Sequence, residues 1–513
     1  SDNSNSNRAN DHYPRQQGRL KVGFVSNDFR RHALAIHIQD IFSQLDRADF
    51  EVYCYHTAGV YDTFTRHIKE GCEHWRDTHK LSDFAASNLI RRDGVQIAVE
   101  LGLHSQGSKL SYFTFRAAPV QVVYLGFAAS SGMRQVDAIV VDEAVVPRSA
   151  ASCFSEQTVV YMPTCYHLLN HLNYYGPLTP KRFQRYQALF KDLGKLDHRE
   201  HADTRNIRGI GELRNNGNES NTRVTGSSSR RSLRIEQEEA EPSGSSQPDT
   251  PHAHADRADT LPTLVLCNFG KAQKLDSVTF GHWMKILITI NATVSERSFN
   301  QKQEQAGAAR ASTRRVPADQ YGRVVLVMKQ VSRAHQASVL RAARKYGVDK
   351  RLLRFLPDSE PLRDHLNHKA GLCDVFLDTR FWNGHSGAAD ALFSEVPLVT
   401  FPTDNMLGRV GLSFARALGM EKEFVASSYE GYRDLVLRHT DKRWHDMVVS
   451  NLKRALKKSA LFDFSRQMKL FSKALQALWR QHQEDTKQSS EFGWWKWQGG
   501  KNAAQTFIVL KEE

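Results

Sequence analysis

Short apolar runs recur along the first 170 or so positions, each closed by a polar turn and followed by apolar residues at helical spacing. Leu20-Lys21-Val22-Gly23-Phe24-Val25-Ser26 predicts a buried strand, because a brief apolar run bounded by turn residues suits a sheet interior. It closes in Asn27-Asp28-Phe29-Arg30-Arg31-His32, after which Ile36, Ile38, Ile41, Phe42 and Leu45 mark a helix. Residues 50–55, 75–77, 96–101, 119–126 and 137–142 repeat the strand pattern, and 83–92 reads as a helix. Such alternation predicts a doubly wound parallel sheet with its functional groups on the loops after the strand C-termini. Those loops carry His32, His104 and Ser130-Ser131-Gly132.

The pattern lapses between about residues 172 and 261. One helix is predicted there, with Phe183, Tyr186, Phe190 and Leu193 on a single face. Residues 200–260, rich in Arg, Ser, Asn, Glu, Gly and His, hold too little apolar surface to order themselves. The same holds for the polar start, 1–17, and for a second insert at 293–320. Alternation resumes at Thr263-Leu264-Val265-Leu266-Cys267-Asn268-Phe269 and continues through strands at 324–328, 352–356, 373–377 and 397–402. Helices are predicted after the first of these, over 335–346 and 409–418, and across 429–484. The expected division is a tail (1–17), an N-terminal lobe (18–171), an insert (172–261), a C-terminal lobe (262–485) and a tail (486–513) that holds Trp494, Trp495 and Trp497. Two α/β halves joined by a linker imply a cleft between them.

At 513 residues and 40% hydrophobic content, the chain can bury substantial cores. Its six cysteines show no paired spacing and several lie in apolar runs, so reduced core thiols are expected rather than disulfides or a zinc site. No apolar run reaches the ~18 residues of a membrane span. The net charge of +14 is scattered over inserts and C-terminal helices without a zinc-finger or RNA-binding motif. Anionic small molecules and acidic protein partners fit that charge better than nucleic acid.

One stretch concentrates chemistry: Leu377-Asp378-Thr379-Arg380-Phe381-Trp382-Asn383-Gly384-His385-Ser386-Gly387-Ala388-Ala389-Asp390-Ala391-Leu392. A strand, a glycine-containing turn and a helix start direct backbone N–H groups and a positive dipole end at one point, which suits a diphosphate. Asp390, one turn into the helix, is placed to reach a ribose hydroxyl. An ordinary structural turn would use the same glycines, so the rest of the chain has to decide.

Arg116-Ala117-Ala118-Pro119-Val120-Gln121-Val122-Val123-Tyr124-Leu125-Gly126-Phe127, with Ser131-Gly132 and Asp137 after it, resembles the N-terminal catalytic lobe of protein O-linked N-acetylglucosaminyltransferases and their plant relative SPINDLY, the family 41 glycosyltransferases. Residues 19–28 with His32, Cys267-Asn268-Phe269 with Lys274, and Leu377-Asp378-Thr379 through Asn383-Gly384-His385 to Pro397-Leu398-Val399-Thr400 resemble further family motifs in the same order. The resemblance implies an α/β fold of GT-B type, two Rossmann-like doubly wound lobes facing a cleft with C-terminal helices. It implies a UDP-GlcNAc donor, no cofactor or metal, Ser/Thr hydroxyls of intracellular proteins as acceptors, inversion, and a cytoplasmic or nuclear setting.

By the same resemblance, His32, Lys274 and His385 are the expected catalytic residues. Lys271, Lys274, Pro361, Leu362, Arg363, His365, Lys369, Gly384, His385, Ser386, Gly387 and Asp390 are the expected nucleotide-sugar contacts. His37, His104 and His368 carry no assignment. Departures are Phe127-Ala128-Ala129 for the family's Gly-Tyr-Pro turn, His385-Ser386-Gly387 for His-Thr-Thr, and Ala33 for the proline after the active-site histidine. Val99-Glu100-Leu101 and His104 look more like SPINDLY, which leaves O-fucosyl transfer from GDP-fucose as a second reading. The altered turns leave an inactive protein-binding scaffold as a third. No tetratricopeptide repeats occur.

Overall fold

The computed structural model describes residues 18–177, 264–307, 324–329, 332–356, 366, 371–492 and 505–511, with side chains described to 292 and 487 in the helices ending at 307 and 492. The first half runs β1 (Leu20–Ser26), α1 (Ala33–Ile38), α2 (Ile41–Gln44), β2 (Phe50–His56), α3 (Thr63–Gly71), β3 (His74–Asp77), α4 (Asp83–Arg92), β4 (Ile97–Glu100), β5 (Val120–Val123), β6 (Ala138–Asp142), β7 (Thr158–Met162) and α5 (His171–Tyr175). The second runs β8 (Leu264–Asn268), α6 (Ser277–Gly307), β9 (Val324–Lys329), α7 (Arg333–Lys345), β10 (Leu353–Leu356), β11 (Val375–Leu377), α8 (Ser386–Phe393) and β12 (Leu398–Val399). It is completed by α9 (Val410–Ala417), α10 (Glu421–Phe424), α11 (Tyr429–Arg438), α12 (Lys442–Lys458), α13 (Phe464–Phe492) and β13 (Thr506–Val509).

Every strand pairing is parallel, in an eight-stranded sheet β13-β7-β6-β5-β4-β1-β2-β3 and a five-stranded sheet β10-β9-β8-β11-β12. A parallel sheet covered on both faces needs near-continuous apolar strands. Val22, Phe24, Val52, Val99, Leu266, Val325 and Phe376 meet that need and are buried. Side-chain caps start several helices: Asp62 forms a reciprocal capping box with Thr65, and Ser82, Ser332 and Ser428 each accept a backbone N–H. In each sheet the strand order reverses once, between β1 and β4 and between β8 and β11. Strands that diverge in their onward connections leave a crevice at their C-terminal ends, the usual ligand position in such sheets.

Several features depart from the sequence expectations. Cys54 pairs with Cys72 and Cys267 with Cys373, with Cα atoms 6.4 and 5.9 Å apart, so four of the expected reduced thiols form disulfides. Pairing of β11 with β8 brings Cys373, just before β11, within disulfide reach of Cys267, a relation invisible in sequence spacing. The polar run from 293 continues α6 to Gly307 rather than interrupting it. Strand β7 and helix α5 had no predicted counterpart. Helix α13 returns to the first half: Phe471 stacks on Tyr124 at 4.8 Å, and Gln467 bonds Leu169 N and His167 O. The stretch read as a tail then adds β13 beside β7. Among the described residues no helix is long and apolar enough to cross a membrane.

Candidate active site

The two crevices face each other. In the first, Asn27 Nδ2, after β1, donates to Gln106 O, after β4, at 3.3 Å. In the second, Lys274 Nζ, after β8, donates to Asn383 O, after β11, at 2.7 Å. Phe127 of the first half meets Trp382 of the second edge to face, ring centres 5.6 Å apart. Arg409 Nε donates to Ala144 O at 2.7 Å, and Ser413 Oγ to Asp142 Oδ2 at 2.6 Å. The halves thus meet through polar and aromatic contacts around their loops.

The second crevice is built on Asp378. Its carboxylate, 1% exposed, accepts from Gly384 N at 2.6 Å and Thr400 Oγ1 at 2.9 Å, closing the turn between β11 and α8. Asn383 braces that turn, donating to Thr379 O at 2.7 Å and accepting from Gly411 N at 2.9 Å. Gly384 is required by space, since a Cβ would sit 3.0 Å from Ala388 N and 3.2 Å from Phe376. His385 enters α8 with φ 33°, ψ −110°. Leu103 and Leu125, in the facing loops, also have positive φ. Non-glycine residues in that region store strain that the surrounding contacts must hold, which is commonest at functional sites.

Electrostatics concentrate here. Burial pushes Lys274 down to about 8, with Lys271 adding to the effect and Asp378 opposing it. Burial pushes Asp378 up to about 6, opposed by the Gly384 and Thr400 hydrogen bonds and by Lys274. Both therefore remain mostly charged at pH 7, a cation held in a low-dielectric turn. The Lys274 ammonium also lies 5.2 Å from the Trp382 ring centre. His385 is driven well below its ordinary value by burial, then by Lys274 and His167. Its neutral ring donates from Nε2 to Leu407 O at 3.3 Å.

His32 caps α1 in the first crevice, its Nδ1 3.3 Å from Leu34 N and 3.2 Å from Asp28 Oδ2. Burial lowers its pKa, Asp28 opposes, and Lys271 lowers it further, so Lys271 acts across the cleft on the histidine. Ser386 Oγ is 3.1 Å from His37 Nε2, and Asp390 Oδ1 is 3.0 Å from His171 Nε2. Both α8 side chains are thereby tied to the first half. Gly387 N and Ala388 N turn to Gly384 O rather than outward. His32, Lys271, Lys274, Gly384, His385, Ser386, Gly387 and Asp390 thus gather around one cleft. Pro361, Leu362, Arg363, His365 and Lys369 lie outside the described residues.

Sequence reasoning missed His167 and His171, whose rings lie 4.9 and 5.2 Å from that of His37. Their i, i+4 spacing around Asn170 was the one available signal, in a stretch without periodic patterning. Among the described residues no group of three or more His, Cys, Asp or Glu side chains could hold a metal ion.

The family model described as glycosyl transferase family 41 matches residues 4–210 and 314–470. The chain belongs to glycosyl transferase family 41. A probable UDP-N-acetylglucosamine–peptide N-acetylglucosaminyltransferase of Arabidopsis thaliana is 23% identical over 90% of this chain and 37% of its own length. The corresponding Caenorhabditis elegans enzyme is 24% identical over 92% of this chain and 42% of its own length. The chain therefore spans less than half of these family 41 relatives. A Thermobaculum terrenum O-GlcNAc transferase mutant superposes with a TM-score of 0.62 at 21% identity, over 91% of this chain and 69% of that one. The shared architecture is GT-B: two Rossmann-like parallel sheets facing a cleft, with C-terminal helices.

Proposed function

We propose that this chain is the catalytic region of a protein glycosyltransferase that moves GlcNAc from UDP-GlcNAc to Ser/Thr hydroxyls, with inversion and without a metal ion. The observation that carries the reading is the half-buried Lys274 ammonium at the mouth of the β8/β11 crevice, beside the α8 N-terminus and backed by Asp378. When the acceptor oxygen attacks the anomeric carbon, the bond to the diphosphate breaks and negative charge grows on the leaving oxygen. A preorganised cation in a water-poor site stabilises that charge without reorganising. His385, neutral, offers ring contact to the nucleotide, and Asp390 and Ser386 lie on the helix that would carry ribose and phosphate. His32 Nδ1 accepts the Leu34 N–H that caps α1, so the neutral ring carries its proton on Nε2 and would orient the sugar or acceptor as a donor rather than take the hydroxyl's proton. Lys271, facing His32 from the second half, would sit against the donor phosphates. The family membership and the relatives' names support the donor and acceptor classes.

The test is a thermal-shift titration with UDP, GDP, UDP-GlcNAc and GDP-fucose, followed by transfer to a Ser/Thr peptide. A ligand that binds only the folded state raises the melting temperature by mass action. UDP-selective stabilisation that weakens in Lys274→Ala, with GlcNAc transfer by the wild type, is the expected result. GDP selectivity would replace the donor by GDP-fucose. No shift with any nucleotide would leave a protein-binding scaffold.

A further inference from the structure

Arg380 shares its turn with Trp382 and Asn383, yet its side chain leaves toward a different set of neighbours. Its guanidinium carbon lies 4.0 Å from the Phe401 ring centre, 5.0 Å from Tyr429 and 5.2 Å from Phe381. The Nε atom is buried without a hydrogen-bond partner, and among the described residues no carboxylate pairs with the group. Three other half-buried arginines are paired with carboxylates: Arg76 with Asp93 and Arg116 with Asp137 at 2.9 Å, Arg351 with Asp349 at 2.7 Å. Three rings fix the plane of Arg380 while its charge goes unanswered. A planar fork held rigid in advance loses little entropy when a carboxylate docks on it, which is the condition for tight, directional recognition of an acid.

The surroundings narrow the ligand. The His282 ring stacks on Tyr429 at 3.7 Å and feels Lys285 and Arg433 as well as Arg380. Phe381 is 43% exposed beside them. Basic groups on α6 and α11 thus flank an open aromatic rim next to the turn that holds Lys274. An open rim suits an extended chain rather than an enclosed small molecule. Glu430, exposed in the same rim, opposes any anion there and so favours a singly charged carboxylate over a multiply charged polyphosphate. We propose that Arg380 is an anion-recognition point for an acidic side chain of the acceptor polypeptide, setting a preference for hydroxyls near a carboxylate. The proposal rests on the transferase reading only in calling that polypeptide an acceptor.

The experiment compares two fluorescein-labelled peptides, identical except that Glu residues flanking one Ser are replaced by Gln, by anisotropy and by transfer rate. The wild type is expected to bind the Glu peptide roughly five- to tenfold tighter, a difference that shrinks between low and high salt. Arg380→Met keeps the stem against the rings and should erase the preference, leaving UDP affinity and the Gln peptide unchanged. Arg380→Lys, which keeps charge and loses the fork, should retain part of it and supplies the comparison if the Met variant does not fold. Equal binding of the two peptides by the wild type, or a preference that persists in both variants, would overturn the proposal. Arg380-dependent binding of the Glu peptide without sugar transfer would uphold the anion site and remove the transferase reading instead.

Discussion

The two crevices are built alike and charged differently. Each sheet buries a carboxylate at or just past the end of a strand beside its reversal point, Glu100 on β4 and Asp378 after β11. Glu100 accepts from Gly102 N at 3.0 Å, Leu103 N at 2.5 Å and Ser108 Oγ at 2.9 Å, and burial raises its pKa to about 7. Asp378 accepts from Gly384 N and Thr400 Oγ1, and burial raises it to about 6. Both acids anchor a loop through its backbone. Only Asp378 also faces a half-buried lysine. In the second half the same device holds a cation above it, so the difference between the halves is one of charge, not of topology.

The strongest way to break the comparison is Asp378→Ala. It leaves Gly384 N and Thr400 Oγ1 without their acceptor and Lys274 half-buried without its counter-charge, a loss of about 3–5 kcal/mol. Urea unfolding measures it, and a loss below about 1 kcal/mol would mean that Asp378 does not anchor the turn. Next comes Lys274→Met, expected to lower sugar transfer by roughly 10²- to 10³-fold while leaving the fold intact. The lysine's folded-state pKa of about 8 lies below its ordinary value of 10.5, so the unfolded chain binds more protons between those values. Stability therefore rises with pH across that window, while transfer falls as the cation is lost above about pH 8. Both trends should vanish in the Met variant; an unchanged alkaline limb of the rate profile would assign it elsewhere.

Glu100→Gln should cost about 1–3 kcal/mol, because one amide oxygen must serve donors now shared by two. For this acid the folded pKa of about 7 exceeds its ordinary value of 4.5, so the native state binds more protons between them. Stability falls as pH rises through that range, and comparing unfolding at pH 5 and 7 should show a shallower fall in the Gln variant. Nucleotide affinity should stay level, since no cation faces this acid. The smallest effect belongs to Tyr432→Phe. Its hydroxyl donates to Asp378 O at 3.1 Å and accepts from Trp283 Nε1 at 3.3 Å, so removal costs about 1 kcal/mol without changing transfer. A large drop in transfer would show that the strand end needs this outer brace.

Much of this architecture was legible along the chain. The predicted strand at residues 20–26 and helix at 83–92 coincide with β1 and α4, because apolar runs bounded by Asp, Ser and Gly leave few alternatives. The place of Lys274 just after a strand was readable, whereas its candidacy as a site residue came from the family resemblance and its contact with Asn383 O only from the fold. Strand β7 was missed although Val159, Val160 and Tyr161 form an apolar run. His167 and His171 were missed because a histidine's role depends on what packs over it.

Sequence alone determined the periodicities, hence the alternation of strand and helix, and the placing of polar and charged residues after strands. Those are local quantities, set by the spacing of apolar side chains and by turn chemistry. Tertiary structure decided what sequence distance hides: Cys267 against Cys373, β13 beside β7, α13 laid back on the first half, and His171 on Asp390. The pKa of Lys274 belongs to the same class. Its shift comes from burial and from Asp378, and both exist only once β8 and β11 lie side by side.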